Sequence, residues 1–305
     1  MALEKLDNSN ISVHLGKTSE YKSQYDPSLL VREPRSNNRK HLDIEDDNLP
    51  FIGYDTWNAY EVSALTDNGV PVVGVGKIVY PASSKYIVES KSLKLYFNSF
   101  NMTKLGVTPY DVRQKIKELA EKDLTELLEA AVIVEIDSNQ TVLFDYNSAQ
   151  EEYHDGFVTL EEEYELSIQG EVSVYQETPS LLEITEGDGE VKKFHSALLK
   201  SNCRVTSQPD WGDVYITYQG DKDVDPVSLL KYIISFRDEC HFHEEICETI
   251  YKRLNDLLEP ESLHVMCLYA RRGGIDINPQ RASSEEMLNW TVCNTAYPHI
   301  KTPKQ

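Results

Sequence analysis

Two dipeptides, Thr108-Pro109 and Asp225-Pro226, constrain the fold of this chain more than any other feature. In each, a residue able to cap a helix precedes a proline, which has no N–H to lose at the first helical position and whose φ already suits it. Each pair follows a run of β-type segments and opens a long amphipathic stretch. The first is "YDVRQKIKELAEKDLTELLEA", to about Ala131, with Asp111 three residues after the cap; the second is "VSLLKYIISFRDECHFHEEICETIYKRLNDLLE". Val107 and Val224 precede the two pairs, so an order of strands then helix runs twice. A chain built this way is expected to be α+β: two tandem modules, each an antiparallel sheet with helices packed on one face.

In the first module "AYEVSAL" and "PVVGVGKIVY" flank Asp67-Asn68-Gly69, a hairpin turn because Asn and Gly tolerate positive φ. "KYIVESKSLKLYFNSF" reads as a third strand. On a strand, Glu89 and Lys91 would share a face with Leu93 and Leu95, while Ser90, Ser92, Lys94 and Tyr96 would take the other. In the second module "TVLFDY", "FVTLEEEYELSIQGEVSVY", "SLLEITE", "KKFHSALLKSNCRVTSQ" and "DVYITYQG" read as β-rich. Residues 1–50 are polar and charge-rich and read as an arm or cover. The expected division is therefore an arm over 1–50, a first module over 51–136 and a second over 137–305.

Charge limits the partners. With 30 Lys and Arg against 51 Asp and Glu, the formal net charge is −21, so most of the surface repels a phosphate backbone and direct nucleic-acid binding is not expected. The N-terminus lacks an apolar core followed by a small-residue cleavage site, and no apolar run is long enough to span a bilayer. A soluble cytoplasmic protein with no membrane contact is the expectation. Its 5 cysteines, at 203, 240, 247, 267 and 293, are then free thiols in a reducing compartment rather than a disulfide framework.

Several stretches carry chemistry. "SNCRVTSQPDWGD" places Cys203 seven positions before Asp210, with Gln208-Pro209 between them. Cys203 is either a buried structural thiol or a nucleophile with an acid beside it. In "CHFHEEIC", Cys240, His243 and Cys247 would share the face of a continuous helix, and thiolates with imidazole suit zinc; no fourth ligand group accompanies them, so packing cysteines explain the run better. "GVGK" at 74–77 lies in a strand without further glycines and is structural rather than a nucleotide loop. "VESKSLKLYFNSF" concentrates Glu, Ser and Lys more densely than packing requires, although a solvated charged edge gives the same pattern. "LYARRGGIDINP" sets two arginines before two glycines, a turn able to hold an anion or simply a turn.

Taken together, these stretches resemble one family: the NADPH-dependent 7-cyano-7-deazaguanine reductases, nitrile reductases of queuosine biosynthesis, in their two-module form. The resemblance is carried by "ESKSLKLYFNSFN" at 89–101, "LLKSNCRVTSQPDWG" at 198–212, "SFRDECHFHEE" at 235–245 and "YARRGGIDINP" at 269–279, with "LGKTSEYKSQYDPSLL" near the N-terminus. It implies the tunnelling fold, a homodimer, and reduction of a nitrile to a primary amine with two NADPH and neither flavin nor metal. The reaction would begin with addition of a cysteine thiolate to the nitrile carbon. By this resemblance Cys203 is the nucleophile and Asp210 the general acid. Val88, Glu89, Ser90, Phe242, His243 and Glu244 would bind the deazapurine, and Ser90, Lys91, Arg272 and Gly273 the cofactor.

The assignments agree with the chemistry of the residues. A thioimide is a more electrophilic C=N than the nitrile it replaces, and covalent catalysis divides one hard step into easier ones. Carboxylates accept paired N–H donors of a guanine-like edge, and an aromatic ring can stack on the base. Cys240 departs from the more polar residue expected before His241. Two other readings stand beside this one: a zinc-dependent cyclohydrolase of the same fold recruiting Cys240, His243 and Cys247, and a purine- or pterin-binding module without catalysis, against which the joint presence of Cys203 and Asp210 speaks.

Overall fold

The computed structural model describes residues 21–138, 156–168, 172–204, 207–295 and 305. Its strands are β1 (Arg32–Pro34), β2 (Ile52–Leu65), β3 (Pro71–Pro81), β4 (Tyr86–Val88), β5 (Ile133–Asp137), β6 (Val158–Thr159), β7 (Ile184–Glu186), β8 (Lys192–Ser196), β9 (Lys200–Cys203), β10 (Pro209–Gln219), β11 (Lys222–Val224), β12 (Cys240–His241), β13 (Ser262–Tyr269) and β14 (Ile275–Ala282). The helices are α1 (Ser36–Arg39), α2 (Ser90–Ser99), α3 (Pro109–Leu128), α4 (Leu160–Ile168), α5 (Pro226–Ser235), α6 (His243–Leu258) and α7 (Trp290–Cys293).

One sheet runs through the molecule in the order β12-β9-β10-β13-β14-β2-β3-β5, with β8 along β10 and β6 on β8. Its ladders are antiparallel except β12 on β9 and β6 on β8. Strand β14, late in the chain, pairs with β2 over eight residues from Ile275↔Ala59 to Ala282↔Ile52, and so joins the two halves of the sequence. Alternation along the strands puts Trp57, Ala59, Ile78, Val134, Ile277, Val265 and Cys267 on one face. There α2 and α3 complete one buried cluster and α5 and α6 another. The α+β class accords with the sequence; α2, α3, α5 and α6 lie on one sheet face, whereas Val292 of α7 packs on the other with Tyr215, Met266 and Leu268. Buried arginines stitch the halves: Arg281 reaches Asp55 at 2.8 Å and Glu248 at 2.9 Å, and Arg39 reaches Glu248 at 2.8 Å.

Three readings of the sequence are corrected. "ESKSLKLYFNSF" is not a strand: β4 ends at Val88, and the Glu89 carboxylate accepts the N–H groups of Lys91 (3.0 Å) and Ser92 (2.7 Å), capping α2. Leu93, Tyr96, Phe97 and Phe100 then recur at helical spacing on the buried side. "FVTLEEEYELSI" forms two strand residues and then α4, whose first turn holds Glu161, Glu162 and Glu163, favourable at the positive end of a helix. The stretch after Asp225-Pro226 is not one helix. It stops at Ser235, passes a 3₁₀ turn over Phe236–Asp238 and the short β12, and restarts at His243. "TVLFDY" lies outside the described residues.

The helix opened by Asp225 matches α2 and not α3, so the Thr108/Asp225 register is corrected. Asp225 caps α5 through the Ser228 N–H at 2.7 Å, and Ser228 Oγ donates to the Asp225 carbonyl at 2.7 Å. Ser92 Oγ donates to the Glu89 carbonyl in α2 at the same distance. Ser99 and Ser235 donate to Tyr96 and Tyr232 carbonyls, each at 2.6 Å. "SLKLYFNSF" and "SLLKYIISF" are thus the same helix, and β1–β4 and β7–β11 are the matching small ladders before them.

Candidate active site

The site begins at the hairpin between β9 and β10. Cys203 N–H donates to the Gln208 carbonyl at 2.8 Å, and Ser207 N–H to the Cys203 carbonyl at 2.9 Å, with Ser207 at φ 52°. Pro209 lies opposite Asn202 and Asp210 opposite Ser201. Opposed residues of an antiparallel pair project to the same face and alternate along each strand, so Ser201, Cys203 and Asp210 share one face. Gln208-Pro209 is therefore already on the returning strand, paired back on Cys203 and Asn202, and it delivers Asp210 to their side of the sheet. Cys203 is 7% exposed and Asp210 5%.

Asp210 lies in a setting that perturbs its carboxyl group. Burial pushes its pKa up to about 6, against the opposing charges of Arg272 and Lys200. Arg272 Nη1 sits 2.8 Å from Oδ1, whereas Oδ2 is buried and has no hydrogen-bond partner. His243 Nε2 stands 3.8 Å from Oδ2. That imidazole is buried and faces Arg272, which brings its pKa down to about 3, so it is neutral beside the carboxyl group. Its ring meets the edge of Tyr269 with centroids 4.0 Å apart.

His243 opens α6, and the residues around that start converge on the hairpin. The break before α6 exists because β12 pairs in parallel with β9, placing His241 beside Cys203. Phe242 and Glu244 are buried. Burial and the nearby Asp55 carboxylate raise the Glu244 pKa, and Tyr80 O–H donates to it at 3.5 Å. Glu245 accepts the Phe242 N–H at 3.0 Å and pairs with Arg204 at 2.7 Å. Burial alone would lower the His241 pKa, but Glu239 and Glu245 at its two ring nitrogens raise it to about 9.

The first half of the sequence contributes the start of α2. Ser90, Lys91 and Lys94 line a cleft of about 210 Å³ together with Gln208, His243, Arg272 and Gly273 of the second half. Gly273 has φ 63°, and a Cβ there would lie 2.5 Å from Lys94 Nζ, so only glycine lets the lysine lie against this turn. Three cations thus face one opening on a protein of net charge −21, a setting that draws in and holds an anion.

Of the expected residues, Ser90, Lys91, His243, Arg272 and Gly273 line this one cleft, and Asp210 adjoins it through His243 and Arg272. Glu89 is buried at the start of α2, and Val88 packs in the hydrophobic cluster beneath it. The zinc constellation does not assemble: Cys240 is exposed on β12, Cys247 is sealed in the core of α6, and no group of three potential ligands occurs among the described residues. Sequence reasoning assigned no site role to Lys94, Gln208, Arg204, Glu245 or His241. The spacing of Lys91 and Lys94 was the available signal once that stretch is read as a helix.

A buried thiol and a carboxyl whose pKa is raised by burial share one sheet face beside a cationic cleft, an arrangement that suits a thiol-dependent enzyme with an anionic co-substrate. Comparison with known proteins specifies it. A family profile described as nitrile reductase, 7-cyano-7-deazaguanine-reductase N-term matches residues 21–136, and one described as QueF-like protein matches residues 209–287. The NADPH-dependent 7-cyano-7-deazaguanine reductase of Dechloromonas aromatica (strain RCB) is 41% identical over 272 residues, 89% of this chain and 90% of the relative. The chain belongs to the family of NADPH-dependent 7-cyano-7-deazaguanine reductases, which are oxidoreductases. The crystal structure of the archaeosine synthase QueF-Like in the apo form aligns with 33% of this chain and 91% of its own at 16% identity and a TM-score of 0.26, too remote to inform the fold. No helix among the described residues is long and apolar enough to cross a membrane.

Proposed function

We propose that this protein reduces the nitrile 7-cyano-7-deazaguanine to 7-aminomethyl-7-deazaguanine with two NADPH, in the queuosine branch of tRNA modification, through a covalent Cys203 thioimide. The observation that carries this reading is the pair Cys203 and Asp210 on one sheet face, with Asp210 unpartnered on one oxygen and adjoining a cationic cleft. Sulfur adds to the nitrile carbon while the nitrogen takes a proton, giving the thioimide. Asp210, poised near pH 6 by burial, delivers a proton to that nitrogen as the carbon is reduced. Expulsion of the Cys203 thiolate then leaves an imine, and its reduction to the amine consumes the second equivalent of NADPH.

Glu89 and Glu244 would accept the N–H donors of the heterocycle, with Phe242 stacking on it and Val88, Ser90 and His243 completing the pocket. NADPH, when bound, supplies hydride. Ser90, Lys91, Arg272 and Gly273 would hold it, joined by Lys94, because these cations suit a ribose phosphate and the Gly273 turn leaves room for it. Neither flavin nor metal is required by this scheme. Division of site residues between α2 and the second half supports a two-module tunnelling fold, with an arm over 1–50 and modules over 51–136 and 137–305. A homodimer in the cytoplasm completes the reading.

The test mixes protein with 7-cyano-7-deazaguanine and follows NADPH absorbance. Oxidation of two NADPH per amine formed is expected; binding of the nitrile with no NADPH consumed would reduce the protein to a purine-binding module.

A further inference from the structure

We infer that Arg204, the residue directly after Cys203, is a positioning residue that fixes Phe242 relative to the thiol through Glu245. The inference rests on the reading of Cys203 as nucleophile and Phe242 as the ring against which the deazapurine lies. Arg204 leaves the end of β9 and crosses to the start of α6. Its Nη2 is 2.7 Å from Glu245 Oε2, its Nε donates to the Cys240 carbonyl at 3.4 Å, and its Cζ lies 5.3 Å from the centre of the Phe242 ring. The same Glu245 oxygen accepts the Phe242 N–H at 3.0 Å and faces His241 Nδ1 at 3.3 Å.

One carboxylate oxygen therefore ties three things together: the guanidinium that moves with Cys203, the backbone of Phe242, and an imidazole held between Glu239 and Glu245. The arrangement is enclosed, with the Arg204 and Glu245 side chains 12% and 7% exposed, so water does not screen the pair as it would at the surface. The covalent chain from Cys203 to Phe242 is long and passes through the whole of α5. Locally the two ends are joined by the short β12–β9 ladder, by the Asn202 N–H on the Glu239 carbonyl, and by the contacts of Arg204 with Glu245, Cys240, His241 and Phe242. A nucleophile and its target must meet within a narrow geometry, and a displacement near 1 Å costs about a hundredfold in rate. Arg204 is thus placed to govern thiol addition without touching the cofactor cleft, whose cations are Lys91, Lys94 and Arg272.

The test compares Arg204→Met, Arg204→Lys and Glu245→Gln with the unaltered protein. The rate of covalent adduct formation with the nitrile is read by intact-protein mass, KM for nitrile and NADPH by steady state, and melting separately. Arg204→Met keeps the apolar stem and should slow adduct formation by about ten- to a hundredfold and raise the nitrile KM, with the NADPH KM within about twofold. Arg204→Lys, which keeps the charge but not the fork, should recover part of the rate. Glu245→Gln should follow Arg204→Met. An Arg204→Met or Arg204→Lys protein that melts lower yet forms adduct at the unaltered rate would make the pair structural only and overturn the inference, as would equal losses for both ligands. If the unaltered protein binds the nitrile but forms no adduct, the nucleophile reading falls and this inference with it; an adduct in the unaltered protein and no difference among variants would sink this inference alone.

Discussion

The two halves of the chain share matching hairpins and helix starts, and the proposed site draws on different members of each pair. In the first half, Thr66 N–H donates to Val70 and the Thr66 carbonyl accepts from Gly69, before Pro71-Val72-Val73-Gly74 begins a strand. In the second, Cys203 N–H donates to Gln208 and its carbonyl accepts from Ser207, before Pro209-Asp210-Trp211-Gly212. Thr66 thus stands where Cys203 does, and Val72 where Asp210 does. The helices reverse the assignment. Ser90, Lys91 and Lys94 of α2 line the cleft, with Glu89 buried at the helix start behind them, whereas Asp225-Pro226-Val227 and Leu230 of α5 belong to a cap and a core. Positions that agree between copies (the capping carboxylate, Ser92 with Ser228, Tyr96 with Tyr232, Phe100 with Phe236) hold the fold. On the proposed mechanism, positions that differ carry the chemistry.

The comparison is broken most directly by importing the structural residue into the chemical copy. Cys203→Thr should lower turnover by about three orders of magnitude or more, the scale of a lost nucleophile, with melting little changed because threonine already occupies this turn in the first half. Intact-protein mass should show an adduct with the nitrile for the unaltered chain and none for the variant. An unaltered melting temperature with retained adduct would remove Cys203 from the chemistry.

Asp210→Asn is next. Asparagine keeps the size but cannot give up a proton near neutral pH, so NADPH oxidation should fall by about two orders of magnitude while thioimide accumulates. The sign of the pH dependence follows from the raised pKa. Protonated Asp210 is the donor, it prevails below about pH 6, and the reduction step should slow as pH rises through that value. Asp210→Asn should flatten that slope. A variant that binds nitrile normally but forms no adduct would make Asp210 the group that activates Cys203 instead.

Smaller effects are expected in α2. Lys91→Val and Lys94→Leu install the residues that α5 carries at the matching positions, Val227 and Leu230. Each should raise the NADPH KM by about tenfold, from loss of one charge-assisted phosphate contact, and leave the nitrile KM nearly unchanged. Equal rises for both ligands would mean that these lysines support the pocket rather than the phosphate.

How much of this was legible depended on whether a signal was local. The Asp67-Asn68-Gly69 hairpin and the Thr108 cap were readable because their causes lie within four residues: Gly69 has φ 84°, and Thr108 and Asp111 form a reciprocal capping box. The start of α2 was misread because β4 runs directly into it and Tyr, Ile, Val and Phe suit either structure; the deciding fact, Glu89 reaching Ser92 N–H, was written in the spacing and overlooked. The gap between α5 and α6 was not readable. No glycine or proline marks it, and β12 exists only because β9, some forty residues earlier, offers it an edge. Cys203 and Asp210 came from motif resemblance, while Arg204, Glu245 and His241 required the packing of β12 against β9 to bring them together.

The least disruptive change is the sharpest check on which copy does what. Asp225 and Glu89 cap matching helices, each accepting the N–H three residues on at 2.7 Å; Glu89 also accepts the Lys91 N–H at 3.0 Å, and the two lie in different surroundings. Loss of such a cap costs about 1 kcal/mol, which for a protein of this size lowers melting by about 2 °C. Asp225→Ala should show that loss alone, with kcat and both KM values within about twofold, because α5 starts against its own core and not the cleft. Glu89→Ala should melt lower by a similar amount and in addition raise the nitrile KM severalfold, since its carboxylate would also serve the heterocycle. If both variants lose only stability, Glu89 is a cap and the α2 contribution to the site reduces to its lysines. If Asp225→Ala also loses nitrile affinity, the division of labour between the copies is wrong.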